Sequence, residues 1–185
     1  MSDDRLLELI LRDAYREGHF TLRSGALSDY YIDLRVLALH PEGVTLMADR
    51  LLDLVERTDA SAVGGPTVSA VPIVGAIAVR AFQRGLPITT FFVREEKKDH
   101  GTGKRVEGPL LEPGQKVVVI DDVVSTAGGV RMAIEGAEAV GAQVVKVLFV
   151  VDREMGGADA LRDDGYDVES LYTITRLKEA LAERA

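Results

Sequence analysis

Apolar residues recur along this chain in two rhythms. Leu6, Leu7, Leu9, Ile10, Ala14 and Tyr15 follow roughly helical spacing, and Gly18 reads as the stop of that helix. From His19 to Asp33 the chain reads as short extended pieces around a turn, LRSGALSDYYID. Pro41 to Thr58 is a second helix, with its proline tolerated in the first turn. SAVGG is a short buried strand, Pro72 to Arg84 a third helix stopped by Gly85, and ITTFFV a strand. KVVVID is the next strand, followed by a helix from Ser125 to Ala139 that ends near Gly141. The apolar run of VVKVLFVVD predicts a strand buried on both faces. A short helix near Ala158–Asp163, a weak strand DVESLY and a C-terminal helix complete the pattern. Strands alternating with helices predict an α/β fold around a largely parallel sheet. One stretch breaks the rhythm: residues 94–108, REEKKDHGTGKRVEG, are polar, charged and without period. They are too long for an ordinary tight connection and mark a candidate functional flap.

Composition narrows the chemistry. At 185 residues the chain is long enough for one domain with a real core, and 46% apolar with 28% charged residues is ordinary for a globular protein. The net charge of -8 argues against broad nucleic-acid or anionic-membrane binding, while leaving room for a local basic pocket. With no cysteine, disulfides, thiolate metal sites and cysteine nucleophiles are excluded. Only His19, His40 and His100 are present, which disfavours a multi-histidine metal site. The charged start, MSDDRLLELI, lacks a signal-peptide core, and no apolar run reaches membrane-spanning length, so a cytoplasmic location is expected.

The segment VVVIDDVVSTAGG, residues 117–129, carries the strongest chemical signal. As the end of a central strand it puts Asp121 and Asp122 at the carboxyl edge of the sheet, where ligands of open α/β folds bind. The small residues that follow let backbone N–H groups approach an anion at a helix N-terminus. Ser125 and Thr126 add hydroxyl donors. Two carboxylates beside an anion cradle suit a sugar phosphate. The competing reading is a strand that ends in two acids and a helix capped by Ser-Thr, an interaction worth roughly 1 kcal/mol. The segment matches neither GxxxxGK[ST] nor GxGxxG.

VVVIDDVVSTAGG resembles the phosphoribosyl-pyrophosphate (PRPP) motif of type I phosphoribosyltransferases. HFTLRSGALSDYYIDLR, VREEKKDHGTGKRVEG and VVDRE are similar to segments of the orotate phosphoribosyltransferases within that family. The resemblance implies a single domain over 1–185, with an N-terminal hood over 1–40 and a mobile catalytic loop over 94–108. It implies transfer of the 5-phosphoribosyl group from PRPP to orotate in pyrimidine synthesis. PRPP would meet Arg23, Arg94, Lys98 and His100 and the run Asp121, Asp122, Val123, Val124, Ser125, Thr126, Ala127, Gly128 and Gly129. Lys98 and Asp99 would be catalytic, and orotate would meet Ser125, Arg153 and Tyr31. Arginine grips a carboxylate through two hydrogen bonds, although an Asp152–Arg153 surface pair is the competing reading. Mg²⁺ is implied as cofactor, carried mainly by PRPP and water, with no direct protein ligand. A homodimer sharing the 94–108 loop across subunits is implied as well, without nucleic-acid or membrane partners.

The chain also departs from the family pattern. Ala127 stands where glycine is usual, Gly129 where Ser or Thr is common, and Glu95 where many members have lysine. Val68 and Ser69 replace a Tyr-Lys pair in GGPTVSAVPI. These departures bear on PRPP affinity. A phosphoribosyltransferase for another nucleobase and a PRPP-responsive regulator without catalysis remain the alternatives. FTLRSG and Arg153 argue against the first. The acidic balance, and the nearness of the chain's start to the first site-like segment, argue against a DNA-binding form of the second.

Overall fold

A six-stranded sheet organises the molecule, described here by a computed structural model over residues 4–21, 27–95 and 105–184. Its strands are β3 (Ala62–Pro66), β4 (Thr89–Val93), β5 (Val106–Glu107), β6 (Lys116–Val124), β7 (Gln143–Asp152) and β8 (Val168–Thr173). They lie in the order β5-β4-β3-β6-β7-β8, and every pairing is parallel except that of the short edge strand β5 with β4. Helices cover both faces, so the largely parallel sheet expected from the alternation of strands and helices is present.

The two-residue period of the strands sorts side chains between those faces. Val118 and Ile120 of β6 join Leu148 and Val150 of β7 in one core. There they meet α1 (Arg5–Leu9), α3 (Pro41–Val55), α4 (Ala70–Gln83) and α7 (Ile174–Ala182), through residues such as Leu6, Met47, Ile73 and Leu177. Val117 and Val119 turn the other way, with Val147 and Phe149, against α5 (Gly128–Glu138) and α6 (Gly157–Asp163). Both faces of β6 and β7 are dry, which is why their sequences read as unbroken apolar runs.

The N-terminal segment departs from the sequence expectation. The helix around Leu6 stops at Leu9, widens into a π-helical turn over Ile10–Ala14, and gives way to β1 (Tyr15–Thr21). Tyr15 pairs with Ile32 of β2 (Leu27–Ile32) in an antiparallel hairpin. Gly18 therefore stops no helix; it lies in β1 where the register of the hairpin shifts, between Glu17 and Phe20. A short helix α2 (Arg35–Ala38) leads from the hairpin into α3. The helix expected from Ser125 begins only at Gly128, leaving Ser125–Ala127 as a loop.

Candidate active site

The chain runs outward from β3 to β4 and β5, then returns to the opposite side of β3 as β6. Strand order reverses there, so a crevice opens at the carboxyl ends of β3 and β6. It holds a cleft of about 700 Å³. Thr67, Val68 and Ser69 enter it after β3, Arg94 and Glu95 after β4, and Arg35 from α2, with Asp121 and Gly129 on the remaining wall. A second cavity of about 160 Å³ adjoins it, formed by Asp121 and the turn from Val123 to Val130. Asp121 and Gly129 line both.

That turn holds the small residues from which an anion cradle was expected. Ala127 sits in the left-handed region at φ 63°, directly before α5, and is buried. Gly157, at the start of α6, supports the turn from behind. Its N–H donates to the Ser125 carbonyl at 3.0 Å. A Cβ on Gly157 would stand 2.5 Å from that carbonyl oxygen and 2.9 Å from the Ala127 nitrogen, so only glycine fits.

The two acids occupy a low-dielectric position. Asp121 is buried, and Oδ1 accepts from the Ser69 hydroxyl at 2.7 Å and the Asp122 N–H at 2.9 Å. Burial pushes the Asp121 carboxyl well above the usual carboxylate range, and the neighbouring Asp122 charge pushes it further. Asp122 is raised by burial too, against the pull of the Val123 N–H, which donates to its Oδ1 at 2.8 Å, and of the nearby Arg35 charge. A pair held this way gains from ligand hydroxyls that donate to it.

Arg153 emerges from β7 at the same edge. Its N–H donates to the Val124 carbonyl at 3.0 Å, tying it to the cradle. The guanidinium turns away from Asp152, whose carboxylate instead accepts from the Glu154 N–H at 2.8 Å. It reaches the Tyr30 hydroxyl at 3.1 Å, Ser125 Oγ at 3.4 Å and Ser28 Oγ at 3.4 Å, and it stacks 4.9 Å from the centre of the Tyr30 ring. Among the described residues it forms no ion pair. The Asp152–Arg153 surface pair is thereby set aside, and a guanidinium without an ion pair among the described residues stands beside the turn that follows β6. Across the cleft, Arg94 Nε is buried with no hydrogen-bond partner among the described residues, a donor suited to an anionic ligand.

A model of the phosphoribosyl transferase domain matches residues 41–179. The orotate phosphoribosyltransferase of Nostoc sp. is 40% identical over 179 residues, spanning 97% of this chain and 86% of its own. A crystal structure of the Mycobacterium tuberculosis orotate phosphoribosyltransferase superposes with a TM-score of 0.81 at 36% identity, covering 93% of this chain and 96% of that one. The same enzyme in complex with PRPP gives 0.77 at 33% identity, over 94% and 96%. The chain belongs to the orotate phosphoribosyltransferase family.

Of the site residues expected from the sequence, the fold brings together Arg94, Asp121, Asp122, the turn Val123–Gly129, and Arg153. Tyr31 is placed differently from Tyr30. Tyr30 is buried, stacked 5.9 Å from Tyr15 and bonded to Arg153, whereas Tyr31 lies on the opposite face of β2, 5.5 Å from Phe20. Arg23, Lys98, Asp99 and His100 lie outside the described residues. Arg35, Ser28 and Gly157 went unnoticed in the sequence. Arg35 enters the cleft from a short helix with no motif around it, held by Asp33 at 2.7 and 2.8 Å. Gly157 had one visible signal, the Gly-Gly pair four residues beyond the end of β7.

Proposed function

We propose that this chain carries out its family's reaction in the cleft between β3 and β6. The 5-phosphoribosyl group of PRPP passes to orotate, giving orotidine 5′-monophosphate and diphosphate. The observation that carries this reading is Arg153, whose guanidinium stands beside the phosphate cradle and is unpaired by any described carboxylate. It grips the orotate carboxylate, and Ser125 contacts the base; Tyr31, on the face of β2 away from Arg153, is set aside from that role. The 5′-phosphate lies in the turn Val123–Gly129, and the ribose hydroxyls donate to Asp121 and Asp122.

The ring nitrogen of orotate attacks the anomeric carbon as the bond to diphosphate breaks. The bonding pair leaves with the diphosphate, and positive charge develops on the ribose. The protein supplies position and charge rather than a covalent intermediate. Arg23, Arg94, Lys98 and His100 meet the diphosphate, with Lys98 stabilising the leaving group and Asp99 handling a proton. Closure of the 94–108 loop excludes water, and reopening releases product. Mg²⁺ would be held mainly by PRPP oxygens and water beside Asp121 and Asp122, whose oxygen donors suit a hard cation. It would neutralise diphosphate charge. The loop serves the neighbouring subunit of a homodimer, and the location is cytoplasmic; among the described residues no helix is long and apolar enough to cross a membrane.

Nucleotide formation from PRPP and Mg²⁺ with orotate, uracil, hypoxanthine, guanine or adenine tests the reading, alongside Lys98→Ala. Turnover of orotate alone, lost in the variant, is expected. Turnover of another base alone would remove Arg153 from its role, and PRPP binding without turnover of any base would make the chain a regulator.

A further inference from the structure

Ser69 stands in GGPTVS, where the chain departs from the Tyr-Lys pattern. Its hydroxyl reaches across the crevice to Oδ1 of Asp121 at 2.7 Å. The same oxygen takes the Asp122 N–H at 2.9 Å, so Oδ1 carries two donors. The second oxygen, Oδ2, is turned toward the cradle: it is the nearest heavy atom, at 3.8 Å, to where a Cβ on Gly129 would lie. Asp121 and Gly129 are the shared wall of the two cavities, so Oδ2 lies where a ribose would join a diphosphate in one cavity to a 5′-phosphate in the other.

We propose that Ser69 is a positioning residue for PRPP: its hydroxyl fixes Oδ1 of Asp121 so that Oδ2 meets the ribose, and it does so from the loop that faces the diphosphate. The inference rests on the reading of the cleft given above. A carboxylate rotates broadly about its last torsion unless its oxygens are held. A hydroxyl donating to an ionised carboxylate in a dry site makes a stronger bond than a neutral pair does. Where the family pattern would place a long lysine, this chain uses a short donor that acts through Asp121.

The charge balance around Asp121 gives Ser69 a second consequence. Burial and the Asp122 charge favour the protonated carboxyl, and the Ser69 donor opposes them. Arg35 faces the pair from α2, and Arg94 and Glu95 face it from beyond β4. The turn Ser125–Gly129 and Phe149 of β7, the register partner of Asp121, bring no charge. Removing the hydroxyl therefore shifts Asp121 toward its neutral form.

The test is Ser69→Ala beside Ser69→Thr, read by steady-state kinetics and by calorimetry with PRPP and Mg²⁺ alone. Ser69 is half-buried with right-handed helical backbone at φ -62°, ψ -44°, which alanine adopts freely. The alanine variant is expected to weaken PRPP binding about tenfold at neutral pH, leaving the KM for orotate unchanged. The acid limb of kcat/KM for PRPP should move up by about one pH unit, and threonine should restore both. Wild-type PRPP affinity with an unshifted acid limb in Ser69→Ala, or a loss that threonine does not restore, overturns the inference. Wild-type protein that binds PRPP without using orotate refutes the proposed reaction but leaves the Ser69 comparison readable by calorimetry. Wild-type protein that binds no PRPP refutes both.

Discussion

Gly157 offers the sharpest separation of positioning from stability. In Gly157→Ala the new Cβ would lie 2.5 Å from the Ser125 oxygen and 2.9 Å from the Ala127 nitrogen. Both are backbone atoms of the cradle, so no flexible side chain can yield. Reaching an ordinary contact requires the turn to move by about 0.9 Å. Misplacement on the order of 1 Å costs up to about 100-fold in rate, so kcat/KM for PRPP should fall about 10- to 100-fold, or about 1.4–2.7 kcal/mol. The neighbouring Gly156→Ala is the control. Gly156 has φ 83°, and nothing lies within 4 Å of its added Cβ. That variant should lose about 1–2 kcal/mol of stability through its left-handed backbone. Its activity well below the Tm should stay near wild type. Orotidine monophosphate formation with PRPP varied, together with thermal unfolding of both variants, decides the matter. Gly157→Ala within twofold of wild type, or equal catalytic losses in the two variants, would refute the role given to Gly157.

Three further expectations follow from the same geometry. Arg153→Ala should raise the KM for orotate about 100-fold, because a charge buried against its partner ligand is lost, while PRPP affinity by calorimetry changes little; equal loss for both substrates would contradict the assignment. Mixing Lys98→Ala with Arg153→Ala protein should restore roughly a quarter of wild-type activity if the loop serves the neighbouring subunit, since a mixed dimer holds one intact site; a mixture no more active than its parents would place the loop in its own subunit. Asp49 joins Arg80 at 2.7 and 3.0 Å and Arg84 at 2.8 Å between α3 and α4. Burial alone would raise its carboxyl, but the hydrogen bonds from Arg80 and Arg84 outweigh burial and hold it below 3.8. Its contribution is therefore complete above that value and disappears as pH falls through the lower folded-state value. Asp49→Asn should cost about 1 kcal/mol near neutral pH, with the Tm difference from wild type vanishing in strong acid; a difference that persists there would argue against an ionic origin.

What could be read in the sequence, and what could not, follows from the range of the interactions involved. The length of an apolar run fixes where a strand leaves the core, and that placed Asp121 and Arg153 at one sheet edge before any contact was known. The parallel order itself came from alternation of strand and helix. Tyr15 shows where such local reasoning fails. It is buried at helical spacing from Leu11, yet burial also suits the first residue of a strand, and pairing with Ile32 decides between them. No pattern within residues 4–18 contains that partner. The hydrogen bond from Ser69 to Asp121 spans 52 residues and the one from Arg153 to Tyr30 spans 123, so neither has a local signature. Ser69 read as the loss of a lysine because a motif records residue types rather than what they touch. The acidic balance has the same limitation. A net charge of -8 describes the whole chain, whereas Arg35 and Arg94 line the cleft and Arg153 stands beside the adjoining turn, from three separate elements. Arg94 and Arg153 follow the ends of β4 and β7 while Arg35 opens α2, and it is that convergence, rather than any run of basic residues, that lets an acidic protein offer a site for two anions.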